Sequence, residues 1–297
     1  MLAVADRVAG YRLGRLLGRG SSGVVHLAQH ERDGIWVALK IMSRAAAASA
    51  AERESELQRF RQEATMARAL RHPDIVAVLD AGESRGVLWL AMDLVPGTDL
   101  SHYTKAARLL PEPLVLRVCQ RLAAALAYAH AAGILHRDLK PSNVLVHWPS
   151  DSVKLADFGL ARGADAHATR TGVVLGSPAY LAPEQLAGAR AEPATDLYAL
   201  GVMLFELLCG RLPFEAPSMG QLLNAVATQP APDLRTLRPD LPDPLARLVA
   251  ALLHKSGRAR PADAREVALQ LAALAAGLRA DSAAGGRGPK SHRQPLP

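Results

Sequence analysis

The period of the hydrophobic positions changes along the chain. Between Tyr11 and Ala28, apolar and small residues alternate around glycines, the pattern of a strand, a turn and a second strand. Ile35 to Ile41 is a β-forming run. From residue 45 to 70 the spacing lengthens: Leu57, Phe60, Ala64, Ala67 and Leu70 form one stripe, which predicts an amphipathic helix ended by Arg71-His72-Pro73. Ile75 to Leu79 and Val87 to Asp93 predict two further strands around a turn at Gly82–Gly86, and Pro96-Gly97 interrupts the pattern. Helical periods then dominate: Pro113 to Ala132, stopped by Gly133, then Ala194 to Cys209, Leu245 to Leu253 and Pro261 to Leu278. One short strand pair, Val144-Leu145-Val146 and Val153-Lys154-Leu155, lies among them. Strands with one helix, followed by helices, predict an α+β fold in two parts that meet at residues 92–97.

Composition narrows this picture. The 297 residues suffice for one large domain or two coupled lobes, and 49% hydrophobic content suits a globular chain. No apolar run reaches the length of a membrane span: the stretches near 120–135 and 197–209 carry Gln120, Arg121 or Glu206 and predict buried helices. Met1 to Gly10 contains Asp6 and Arg7 and has no apolar signal core, so a soluble, cytoplasmic protein without a membrane anchor is expected. Cys119 and Cys209 both lie in apolar helical patterns and predict reduced core thiols rather than a disulfide or a metal pair. The net charge of +7 favours acidic partners, but no compact basic stripe stands out and nucleic-acid binding is not expected. From Ala280 onward, glycine, serine, proline and basic residues predict a disordered basic tail over 279–297.

Four segments carry candidate chemistry. In His136-Arg137-Asp138-Leu139-Lys140-Pro141-Ser142-Asn143, Asp138 can orient a substrate hydroxyl and Lys140 can neutralise a phosphoryl group in transfer. Asn143 offers a neutral oxygen to Mg2+, and Asp157-Phe158-Gly159 follows with a carboxylate for the same ion. In Gly18-Arg19-Gly20-Ser21-Ser22-Gly23-Val24-Val25, the glycines lie between β-formers rather than opening a helix, which suits a flap folding over phosphates and not a dinucleotide fold. Lys40 sits inside the apolar run Val37-Ala38-Leu39-Lys40-Ile41, a costly position unless it meets anionic partners.

In this order and at this spacing the segments resemble the protein kinases over residues 11 to 275, and the loop pattern resembles the bacterial eukaryotic-like serine/threonine kinases. The resemblance implies a two-lobed kinase fold, with an N-terminal extension at 1–10 and a kinase domain at 11–278. Within that domain it implies an N-lobe at 11–92, a hinge at 93–97 and a C-lobe at 98–278. It implies an enzyme that moves the γ-phosphate of ATP to Ser/Thr hydroxyls of proteins with Mg2+, or Mn2+ in its place. ATP would meet Leu17, Gly18, Arg19, Gly20, Ser21, Ser22, Gly23, Val25, Ala38, Lys40, Met92, Asp93, Val95, Asp99 and Leu145. Asn143 and Asp157 would hold the metal, and Asp138 and Lys140 would serve the transfer. Glu52, Glu54, Glu56 and Glu63 can all reach for Lys40. Glu63 is expected to brace it, because it lies on the striped half of its helix at the family's distance from His72-Pro73. Thr169 and Thr171, flanked by Arg170, resemble activation-loop phosphorylation sites that Arg137 would anchor once phosphorylated. Glu184 with Arg260 is the family's structural pair, and Asp196 is expected to brace the catalytic loop. Ser177 stands where the family usually has threonine and keeps the hydroxyl. Some relatives dimerise through the upper lobe, which leaves an N-lobe homodimer open.

Three other readings compete. A pseudokinase scaffold predicts a missing Lys, Asp or Asn, and none is missing. A small-molecule kinase generally lacks the segment between Asp157-Phe158-Gly159 and Ala182-Pro183-Glu184, which is complete here. A nucleic-acid module would bind with strong salt dependence that ATP-site substitutions leave untouched.

Overall fold

The computed structural model describes residues 6–20, 23–42, 49–158 and 178–285, with side chains of residue 50 and of residues 279–285 left aside. The upper part is one antiparallel sheet. Its strands are β1 (Arg7–Val8), β2 (Tyr11–Gly20), β3 (Gly23–His30), β4 (Trp36–Met42), β5 (Val78–Ser84) and β6 (Val87–Asp93), ordered β1-β2-β3-β4-β6-β5. Helix α1 (Ala50–Ala69) lies between β4 and β5 in the chain. A capping box starts it: Ser49 Oγ accepts from Glu52 N while Glu52 Oε2 accepts from Ser49 N at 2.7 Å. Glu52, which is exposed, therefore shapes the helix start. The stripe reads out as expected, with Leu57, Phe60, Ala64 and Ala67 buried against Val76, Val78, Leu88, Leu90 and Met92.

The lower part is helical. A three-stranded sheet lies beneath the junction: β7 (Thr98–Asp99), then, after α2 (Glu112–Ala131), β8 (Val144–His147) and β9 (Ser152–Leu155). Next come α3 (Pro183–Leu186), α4 (Pro193–Cys209), α5 (Met219–Thr228), α6 (Leu234–Leu237), α7 (Asp243–Leu252) and α8 (Ala264–Gly285). Helix α4 is the centre of this part: Leu197, Tyr198, Leu200, Val202, Met203, Leu204, Phe205 and Leu207 are all fully buried. Gly201 permits that packing, because a Cβ there would sit 2.7 Å from Leu252 Cβ. Among the described residues no helix is long and apolar enough to cross a membrane.

Three boundaries differ from expectation. Ile75 to Leu79 is not one strand: β5 begins at Val78, and Ile75 instead makes an isolated parallel bridge to Leu155. Leu70 and Ile75 accordingly belong to the lower core, although the chain has not yet left the upper part. Arg7 and Val8, placed in an N-terminal extension, pair with Arg12 and Tyr11 and add an edge strand. Helix α8 continues past residue 278 to Gly285, because Ala280 to Ala284 are still compatible with helix and the first glycine pair comes only at Gly285-Gly286. The rest of the expected tail, residues 286–297, lies outside the described residues.

Candidate active site

The glycine flap is the tip of the β2/β3 hairpin. Gly18 faces Val25 and Gly20 faces Gly23 in the register. The three glycines have different reasons. Gly23 has φ +143°, and a Cβ there would meet Ile41 O at 2.1 Å, so the fold itself demands glycine. Among the described residues, a Cβ on Gly18 or Gly20 would meet nothing within 4 Å. Packing among the described residues does not require those two glycines, which fits a backbone that approaches a ligand closely. Gly23→Ala is expected to destabilise the protein by at least roughly 1–3 kcal/mol. Gly18→Ala should leave the melting temperature unchanged; thermal melts of both variants check this. Ser21 and Ser22 lie outside the described residues.

Beneath the flap, strand register groups the cleft residues. Val25 pairs with Lys40 and Ala38 with Met92, and Ala38 and Lys40 are two apart in β4, so all four share one sheet face. From below, Leu145 on β8 and Val95 after β6 pack against the same apolar cluster as Ala38. Leu17 and Gly18 are half-buried, while Arg19 and Gly20 are exposed at the flap tip. Met92 is buried at the back of the cleft, and Asp93 N donates to Ala77 O at 3.0 Å. Asp99, expected at a ribose, caps the short 3-10 turn that follows it: its Oδ1 accepts from Ser101 N at 3.0 Å and from Ser101 Oγ.

Lys40 is only 3% exposed and its ammonium donates to Asp157 Oδ2 at 2.8 Å. A buried ammonium is tolerated only with such a partner. The expected brace is corrected here: among the described residues Glu63 has its ion pair with Arg137, Nη1 to Oε1 at 4.0 Å, and not with Lys40. Asp157 lies closer to hand because its backbone takes φ +64°, which turns its carboxylate under β4. Burial pushes the Glu63 carboxyl above its ordinary value, partly countered by Arg137.

Asp138 sits at the centre of the loop after α2. Lys140 Nζ donates to its Oδ2 at 2.7 Å, and Asn143 Nδ2 donates to its backbone O at 2.7 Å and its Oδ2 at 3.2 Å. Asn143 is therefore locked by its amide nitrogen, and among the described residues its side-chain oxygen accepts no hydrogen bond. The loop is fixed from below by Asp196, at the start of α4 and 1% exposed. Its carboxylate accepts from His136 N, Arg137 N and His130 Nε2, each at 2.8 Å. Burial alone raises the Asp196 carboxyl; the hydrogen bonds from His130 and the loop backbone outweigh it and hold the group below its ordinary value. Arg137, at φ +67°, is a second residue held in the left-handed region here, and such outliers gather at functional sites. His136 links the loop to the segment that carries Asp157, with Nε2 2.8 Å from Ala156 O and its ring against Phe158 at 4.8 Å.

Two buried-charge arrangements went unread in the sequence. Glu206, in the apolar run of α4, accepts from the Tyr180 hydroxyl. Arg121, in the apolar run of α2, binds Asp74. In both cases the signal was present: a charge inside a buried helical pattern needs a partner. The position of the partner was not legible. Thr169, Thr171 and Ser177 lie outside the described residues.

The protein kinase domain model matches residues 11–271. The probable serine/threonine-protein kinase pknA2 of Bifidobacterium longum is 36% identical over 269 residues, covering 90% of this chain and 35% of that protein. PknA of Mycobacterium tuberculosis is 37% identical over 276 residues, covering 91% of this chain and 62% of that protein. Among solved structures, the kinase domain of M. tuberculosis PknI superposes with a TM-score of 0.73 at 35% identity, over 92% of this chain and all of that one. The chain belongs to the protein kinase family, among the bacterial eukaryotic-like serine/threonine kinases. It spans about a third to three fifths of the length of these two curated relatives.

The family works with ATP and a divalent metal, and the residues present fit such an ion. The Asn143 side-chain oxygen and the Asp157 carboxylate are hard oxygen donors, and the Asp157 side chain is 25% exposed. That donor set suits Mg2+, which takes one or two protein oxygens and completes its shell with phosphate and water.

Proposed function

We propose that this chain is an ATP- and Mg2+-dependent serine/threonine protein kinase that phosphorylates proteins, including its own activation loop. One observation supports the reading: Asp138 carries Lys140 and Asn143 on its carboxylate, Asn143 O accepts from Ala156 N, and the next residue, Asp157, is paired to Lys40. In this reading Val25, Ala38, Met92, Val95 and Leu145 enclose the adenine, and Lys40 reaches the phosphates. Asn143 and Asp157 hold Mg2+, which when bound neutralises and orients the phosphates. Asp138 accepts a hydrogen bond from the incoming hydroxyl and aims it. Lys140 stands beside that hydroxyl to offset charge on the phosphoryl oxygens. The work is positioning and electrostatics, which is where phosphoryl transfer gains most.

Lys140 two residues past Asp138 supports Ser/Thr over Tyr as acceptor. Activation by phosphate at Thr169 or Thr171 would give Arg137 a stronger partner than the Glu63 carboxylate it now faces at 4.0 Å. Mass mapping of protein incubated with Mg2+ and ATP tests this. Modification at Thr169 or Thr171 in wild type and its absence in a catalytically dead variant is the expected result. An active enzyme with both threonines unmodified would remove the regulatory part.

A further inference from the structure

One guanidinium joins three segments of the chain behind the site. Arg121, on α2, donates through Nε at 2.9 Å and through Nη2 to Asp74 Oδ1. Its Nη1 donates to the backbone O of Asp151 at 2.7 Å. Asp151 is the left-handed tip of the β8/β9 hairpin, at φ +50°, and its exposed carboxylate is held by Arg117. Asp74 follows α1 and is 6% exposed. Arg121 is itself mostly covered, at 22% side-chain exposure.

Both ends of this clamp lead to the candidate metal ligands. Asp74 O accepts from Leu155 N at 2.8 Å, and Val76 N donates to Leu155 O at 2.9 Å, so the loop after α1 is stitched to β9. Asp157 comes two residues after Leu155. At the other end of the hairpin, Asn143 directly precedes β8, and its O accepts from Ala156 N at 2.8 Å. The hairpin therefore carries one oxygen donor at its entrance and one just past its exit. Arg121 fixes the hairpin at its tip and, through Asp74, along its exit strand. Nothing in the expected chemistry of the cleft uses these residues.

We infer that Arg121, acting through Asp74 and the Asp151 carbonyl, is a positioning residue that sets the placement of Asn143 and Asp157 for the divalent ion. The inference rests on the kinase reading. Asp74 is buried and Arg121 mostly covered, so removing Arg121 leaves a buried charge. A plain Arg121→Ala change would mix folding with positioning. Arg121→Lys keeps the charge but loses the fork that reaches both partners, and Asp74→Asn keeps the shape.

The test compares wild type, Arg121→Lys and Asp74→Asn, with Arg247→Gln as control, because Arg247 on α7 pairs with Asp243 on the exposed surface. Melting temperatures are taken alone, with a non-hydrolysable ATP analogue, and with the analogue plus Mg2+. Ligands raise the melting point according to their affinity for the native state. Both variants should keep the wild-type shift with analogue alone and lose much of the additional shift from Mg2+. In steady-state assays their half-saturating Mg2+ should rise roughly threefold to tenfold, at or below the loss typical of direct outer-shell partners. Their kcat at saturating Mg2+ should stay near wild type. If both variants melt lower yet show the full Mg2+ increment and unchanged half-saturation, the clamp is a structural brace only and the inference is wrong. If wild type itself shows no Mg2+ increment and no transfer, the kinase reading fails instead.

Discussion

Asp138→Asn is expected to lose about 10²- to 10⁴-fold in phosphoryl transfer while still binding ATP. The substitution keeps the side chain's size and leaves the cleft residues from β3, β4 and β6 untouched. It removes the negative charge that Lys140 meets at 2.7 Å and, in the proposed reading, replaces an oxygen that aims the hydroxyl. Both losses fall on the transition state rather than on nucleotide binding, so kcat should drop and the ATP dissociation constant should change little. Single-turnover rates alongside nucleotide titration separate the two. An equal loss of ATP affinity would mean that Asp138 holds the nucleotide rather than the acceptor.

The largest effect on stability is expected at Arg260. Its side chain is fully buried. Its Nη1 and Nη2 grip the two Glu184 oxygens at 2.7 and 2.8 Å, and it also donates to Ala194 O and His254 O. Burial alone raises the Glu184 carboxyl, but Arg260 more than offsets that and holds it below the ordinary range. Removing one partner of such a pair costs about 3–5 kcal/mol, because the other charge stays behind. Glu184→Gln leaves the arginine unpaired and should lower the melting temperature on the order of 10 °C. The sign with pH follows from a depressed carboxyl: the pair's stabilisation is present above the ordinary carboxylate range and is lost as pH falls through the lower folded value. The gap between wild type and Glu184→Gln should therefore narrow in acid. A gap that stays constant from neutral to acid pH would assign the loss to packing instead of charge.

Much of this molecule was legible in its sequence because local and long-range signals agree. The stripe from Leu57 to Ala67 named both a helix and its buried face, and the glycines of the flap had strands on both sides. Glu184 with Arg260, and Asp196 under the catalytic loop, were expected from the resemblance and are joined by hydrogen bonds. The reading went wrong where partners were chosen across space. Lys40 required an anion, but the sequence offered several. Glu63 lost to Asp157 because the left-handed turn at Asp157 brings a nearer carboxylate, which no periodicity records. The strand expected at Ile75 failed for a similar reason. Ile75 packs into the lower core and bridges to Leu155, while Val76 and Val78 stay in the upper cluster and only Val78 pairs with β6. Arg121 was visible as an anomaly in an apolar helix, but Asp74 and Asp151 become its partners only through the fold.

The central claim is the transfer of a phosphoryl group from ATP to protein hydroxyls. Incubating the purified chain with Mg2+, γ-labelled ATP and a general protein substrate, followed by phosphoamino-acid analysis, tests it most directly. The account predicts labelled phosphoserine and phosphothreonine that disappear in Asp138→Asn. Label found only on phosphotyrosine, or transfer that Asp138→Asn leaves intact, would contradict it.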